Sequence, residues 1–179
     1  MHQPSQTHWK EVKLLLLYLC ETSHFGISIA KKQDSRLVIF SDSDWAGDPD
    51  DRTSTSGYVL YLGGTPISWS SKKQRSVFRS STEDEYRVVA AAVAETNWLS
   101  NLLRELHFPL DAAPTVYCDN ISTTYICVNP VFHSRMKHVA IDFHFVRDQV
   151  QNKEIEVKHL HVITDNITSI FSEAVVPAL

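Results

Sequence analysis

LVIFSD, residues 37–42, sets four strand-favouring residues in a row and then stops at a serine and an aspartate. A short apolar run with no polar alternation reads as a strand covered on both faces, and so a central one. TVYCD, residues 115–119, repeats the pattern, with a strand at Val116–Cys118 that closes on Asp119. Between the two lie a polar loop (Gly47–Ser56) and two strands, Gly57–Leu62 and Ile67–Ser70, joined through Gly63-Gly64-Thr65-Pro66 as a hairpin. A long helix follows, capped by Ser80 or Ser81, opening on Thr82-Glu83-Asp84-Glu85 and running to about Leu106. Further on, the pattern predicts a short helix at Asn120–Val128 ended by Asn129-Pro130, a helix at Lys137–Val150, an edge strand at Glu154–Val162 and a closing helix at Asn166–Ala174. Upstream, Val12, Leu15, Leu16 and Leu19 recur at helical spacing within Thr7–Glu21, with Thr7 as the N-cap. A helix, three antiparallel strands and then alternating strands and helices imply an α/β fold, a mixed sheet covered by helices.

Bulk properties narrow the classes. At 179 residues, 43% hydrophobic, the chain is long enough for one well-buried domain and short for two. The formal charge of −4 argues against a strongly basic nucleic-acid binder held mainly by phosphate contacts, and leaves room for a local basic patch. Cys20, Cys118 and Cys127 have no CxxC spacing, which suggests neither a disulfide framework nor a cysteine zinc site. Leu14–Cys20 is too short to span a bilayer and His2–His8 is not a basic leader, so the expectation is an intracellular protein, cytoplasmic or nuclear, that is neither secreted nor in a membrane.

The chemistry resides in three carboxylates. Asp42 and Asp119 stand where strands stop, the usual place for a site in an α/β sheet. Glu85 continues the apolar helical stripe Val88, Val89, Ala92, Thr96, Leu99, Leu103 and Leu106, whereas Glu83 falls with Arg87, Ala94 and Asn101 on the water side, where it pairs with Arg87 at i+4. An inward glutamate needs a partner, because a lone buried carboxylate is costly. Divalent-metal hydrolysis of a phosphodiester requires such hard oxygen ligands around two ions about 3.5–4 Å apart. Each acid, Asp44 included, has a plainer role as a cap of a turn or helix. His133, His138, His144, His159 and His161 match no zinc-finger spacing, and the serine-rich stretch lacks a GxSxG elbow.

LVIFSDSDWAGDPDDRTSTSGYVLYLGG, ISWSSKKQRSVFRSSTEDEYRVVAAAVAETNWL, CDNISTTYICVNPVFHSRMKHVAIDFHFVR and HVITDNITSIF together closely resemble the ribonuclease H domain of copia-type LTR retrotransposon polyproteins, over about Leu37–Phe171. The resemblance implies a ribonuclease H-like fold, a mixed five-stranded sheet with helices on both faces, that cuts the RNA strand of RNA–DNA hybrids with Mg2+ or Mn2+ in a two-ion site. By motif, Asp42 matches the first catalytic aspartate, Glu85 the catalytic glutamate and Asp119 the second aspartate. The family's tail has an alanine–aspartate pair and then a threonine–lysine pair, where this chain has Thr168-Ser169 and Ser172-Glu173. The fourth metal ligand is therefore missing at Ser169, whose neutral hydroxyl holds a divalent ion less well. Asp165, four residues earlier and on the same face of a helix, is the candidate substitute.

Residues 1–30 resemble the last helix and connection of the preceding reverse transcriptase, which divides the chain into that remnant (1–30) and the ribonuclease H-like domain (31–179). The leucines of this helix call for a cover, either the ribonuclease H-like domain itself or another chain, the reverse transcriptase or a second copy. Lys72, Lys73, Arg75 and Arg79, between hairpin and long helix, are placed to hold a hybrid's phosphates. Ser43, Trp45 and Asn120, beside the catalytic aspartates, are candidates for the scissile region or the 2′-hydroxyls, while Trp69 is expected in the core. The expected activity is ribonuclease H, impaired by Ser169; the alternative is a catalytically inactive domain that binds nucleic acid or a partner.

Overall fold

A computed structural model describes residues 3–27, 29, 34–78, 80–129, 139–160 and 176–177. The chain divides into two compact units, Ala30–Thr164 and Met1–Ile29 with Asp165–Leu179.

The larger unit is built on a five-stranded sheet of order β4-β3-β2-β5-β6. β2 (Leu37–Asp44), β3 (Thr55–Leu62) and β4 (Thr65–Lys73) run antiparallel; β5 (Thr115–Cys118) lies parallel to β2, and β6 (Glu156–His159) parallel to β5. The central strand foreseen at Leu37 is β2, and the sheet is mixed. One face of β2, Leu37 and Ile39, joins Leu60, Val116 and Val157 in the core cluster. On the other parity Phe40 stacks on Tyr117 with ring centroids 5.4 Å apart.

The hairpin turn is shorter than its Gly/Pro content implied. Only Gly63-Gly64 connects β3 and β4, with Gly63 at φ 60, and Thr65 and Pro66 belong to β4. A proline is tolerated there because β4 is an edge strand and the ladder shifts register between Leu60 and Tyr61. Trp69 is 61% exposed on this edge, not in the core.

α2 (Ser81–Glu105) buries Tyr86, Val88, Val89, Ala92, Val93, Thr96, Leu99 and Leu103. Its buried arc is wider than a single stripe because the helix packs on the sheet and also against α4 (Ala140–Gln151), where Tyr86 stacks on Phe143 at 6.3 Å. That arc corrects the placement of Glu83 in water: it is half-buried, its side chain 12% exposed, while still pairing with Arg87 at 3.8 Å. Asp84, on the opposite margin of the arc, is fully buried. Leu106 is exposed, since the helix ends at Glu105. Its end is a left-handed cap, with His107 at φ 56, its N–H donating to Arg104 O and that of Phe108 to Leu103 O. α3 (Ile121–Val128) is capped by Asn120, whose side chain accepts from Thr123 N. The closing helix expected at 166–174 lies outside the described residues.

In the smaller unit, α1 (Gln6–Glu21) is capped by Ser5 and not Thr7: the Ser5 hydroxyl accepts from His8 N while the His8 ring accepts from Ser5 N. None of its residues is buried, and Trp9 and Leu14 to Leu19 are each more than half exposed. β1 (Phe25–Gly26) pairs antiparallel with β7 (Val176–Pro177), a ladder that the sequence did not suggest. No described helix is long and apolar enough to cross a membrane.

Candidate metal centre

The ladder between β2 and β5 ends at Ser41 opposite Cys118, so Asp42 and Asp119 are each one residue beyond the last pair of two adjacent parallel strands. β2 continues to Asp44 against β3 alone. Glu85, in the second turn of α2, reaches the same place from the helix that packs on these strands. Ligand atoms of Glu85, Asp119 and Cys118 lie within 4.8 Å of one another. Asp42 stands beside that set rather than within it, although it contributes to the field on Glu85 and receives that of Asp119. Strand alternation explains the offset: Ser43 is directed to α2, so Asp42 leaves β2 on the opposite parity.

Glu85 is 5% exposed. Its carboxyl is pushed up to about 8, first by burial, then by the charges of Asp119 and Asp42; a hydrogen bond from Ser43 N to Oε1, 3.1 Å, opposes the rise. Asp42 is exposed, and its carboxyl is also raised, by partial loss of water and then by Asp119. Among the described residues no ion pair is made by Asp42, Glu85 or Asp119. Two carboxyls raised by their acidic neighbours, with no ion pair among the described residues, form a site that a cation would relieve. The oxygen donors suit a hard divalent ion. Cys118 is the odd member. Burial pushes its thiol up, which keeps it protonated, and Sγ donates to Glu85 Oε2 at 3.8 Å while accepting from Asn120 N at 3.4 Å. Its bond to Oε2 helps to fix the direction of the glutamate.

Other candidates take varied positions. The Ser43 hydroxyl donates to Asp84 Oδ2 at 2.7 Å, so it faces the acids of α2. The Asn120 carbonyl is occupied as the α3 cap. Trp45 is 47% exposed, its indole N–H donating to Phe78 O at 3.0 Å. Lys73 binds Asp48 and Asp51 at 2.5 and 2.9 Å, fastening the acidic loop after β2. Lys72 and Arg75 are exposed. Arg79, Asp165 and Ser169 lie outside the described residues.

Three participants escaped the sequence reading. Asp84 is fully buried beside Glu85; Gln74 donates through its side-chain amide to both Asp84 and Ser56; and His159 Nε2 donates to the Asp119 carbonyl at 2.9 Å from the adjacent strand β6. For Asp84 a signal existed: Val88, one turn on, stands on the same flank of the apolar stripe of α2. For Gln74 and His159 the only cue was proximity created by the fold.

No family model matches the chain. Over 160 residues, 89% of the chain, it is 53% identical to the retrovirus-related Pol polyprotein from transposon RE2 of Arabidopsis thaliana, of which it spans 11%. It is 34% identical over 157 residues to that from transposon TNT 1-94 of Nicotiana tabacum, spanning 12% of it. Among solved structures, LC11-RNase H1, isolated from compost by a metagenomic approach, superposes with a TM-score of 0.55 at 14% identity, covering 79% of this chain and 93% of that one; the same enzyme in complex with an RNA/DNA hybrid gives 0.50. At such identity the superposition speaks for the fold alone, while the sequence kinship speaks for descent, and the two agree. The chain is thus similar over most of its length to retrovirus-related Pol polyproteins of plant transposons, of which it spans about a ninth, and it has the ribonuclease H fold.

Proposed function

We propose that this domain is a ribonuclease H that cuts the RNA strand of an RNA–DNA hybrid with Mg2+ or Mn2+, and that its cleavage is weak. The observation that carries the reading is the approach of Glu85 to Asp119 within 4.8 Å, with Asp42 in their shared field, at the ends of two parallel strands. Asp42, Glu85 and Asp119 would hold the ions. A bound divalent pair supplies an activated water and charge for the leaving oxygen. The protein's share is orientation: Ser43 N and Cys118 Sγ grip the two oxygens of Glu85, and His159 fixes the backbone of Asp119. Lys72 and Arg75 lie on the segment that leads from β4 to α2 and offer exposed charge to phosphates, with Trp45 next to Asp42 as a stacking surface. Lys73 gives its charge to the loop and contributes less.

Weakness follows from Ser169, which puts a hydroxyl where the family's pattern has an acid, unless Asp165 serves in its place. The test is cleavage of a labelled hybrid. The unmodified chain is expected to cut slowly, faster with Mn2+ than with Mg2+; Asp42→Asn abolishes cutting; Ser169→Asp raises it at least tenfold. Fast cutting that Asp42→Asn leaves intact overturns the reading. Ser169 also favours a second one, a domain that grips the hybrid without cutting it, which hybrid binding with no cleavage even in Mn2+ would establish.

A further inference from the structure

Asp84 has 0% of its surface exposed, and among the described residues its side chain meets no cation. Its partners are neutral donors, the Ser43 hydroxyl at 2.7 Å and the Gln74 amide, which also reaches Ser56. The first turn of α2 adds the favourable end of a helix dipole, and Asp84 N closes that turn on Ser80 O. A carboxylate enclosed in this way is costly, and a simple cap at the exposed margin of the helix would do the structural task for less. What it secures is Ser43, which presents its hydroxyl to Asp84 and its amide to Glu85 Oε1, 3.1 Å away. One residue of β2 thus transmits the placement of one acid to the other.

Resting on the divalent-ion reading above, we propose that Asp84 is a positioning residue of the metal centre: it clamps Ser43 so that the Ser43 amide holds Glu85 toward Asp119, and it adds a fourth negative charge to a centre whose fourth acidic sequence position is a serine. Outer partners of this kind govern how well ligands hold an ion.

The shape of the site permits a clean test. Gln74 Oε1 is buried without a hydrogen-bond partner, so in Asp84→Asn the glutamine amide can turn over and accept from the new side chain, keeping the packing while removing the charge. Mn2+ affinity of the full chain, read from the electron paramagnetic resonance of free ion, is expected to fall about tenfold in Asp84→Asn, the lower end for loss of an outer partner. The ion-free melting temperature should not fall, since a costly buried charge is removed with the packing kept. Ser43→Ala should weaken the ion as well, and the double variant no more than Asp84→Asn alone, because both act along one path. If Asp84→Asn does not fold, Ser43→Ala decides: weaker Mn2+ supports the proposal and unchanged affinity overturns it. Asp84→Asn that binds Mn2+ like the unmodified chain, while Glu85→Gln does not bind, overturns this inference alone. Additive losses overturn the route through Ser43. An unmodified chain that takes no Mn2+ overturns the metal reading and this inference with it.

Discussion

The two ends of α2 carry charge in opposite ways. At its start, Asp84 and Glu85 are buried among strand residues with neutral donors for company, and Glu85 is driven up to about 8. At its finish, Arg104 and His107 are exposed beside Lys153 on an open cleft of about 620 Å³ lined by Phe108 and Pro114. This cleft has the easier electrostatics: α2 and α4 both end there in left-handed caps, at His107 and Lys153, and cations suit helix C-termini. The end of the helix where folding tolerates an expensive arrangement is the end where chemistry is expected.

Glu85 sharpens the contrast most. Its carboxyl is raised from 4.5 to about 8, so between those values the folded state holds a proton that the unfolded chain has released. The stability from that proton is fully present below pH 4.5 and is lost as pH rises through about 8. Ion-free protein should therefore weaken across this window, by an amount on the order of a few kcal/mol. Asp42, also raised, acts with the same sign. Glu85→Gln should flatten the profile in urea melts at a series of pH values, and Mg2+ or Mn2+ should restore the unmodified protein at the alkaline end, where the ligand is ionised. A flat profile in the unmodified chain would remove the buried charge from the account.

At the far end of the same apolar arc the sign reverses. Leu103 is 8% exposed in the core cluster, and its side chain has neither charge nor hydrogen-bonding group. Leu103→Ala should cost about 2–4 kcal/mol, independent of pH and of added ion. A pH-dependent loss would mean that the two ends are coupled, which the comparison denies.

Sequence reading reached the sheet and the inward direction of Glu85 for a physical reason. A short unalternating run such as LVIF reads as a central strand, and a glutamate at the head of an apolar stripe reads as pointing inward. The sequence was silent where the fold alone makes neighbours. Cys118 is one residue from Asp119 in the chain, yet its role depends on Glu85, which is 33 residues away. Likewise, Gln74 joins Ser56 to Asp84 across three elements, and nothing local marks it. Periodicity also failed where a helix is covered from two sides. A single stripe set Glu83 in water, because the template allowed α2 the sheet as its only neighbour, whereas Phe143 of α4 covers a second flank.

Glu83 gives the smallest effect and the tightest control. It sits two residues before Glu85 on the same helix, with the same carboxylate, and pairs with Arg87 at 3.8 Å, one turn along. Such a pair is long and partly solvated, so Glu83→Gln should change stability by no more than about 0.5 kcal/mol and should leave Mn2+ affinity alone. If charge near the start of α2 were enough to attract the ion, removing it from Glu83 would matter nearly as much as removing it from Glu85. A difference of tenfold or more in Mn2+ affinity between the two variants would show that direction, set by the hundred-degree step of the helix and held by Ser43 and Cys118, decides which carboxylate serves the centre.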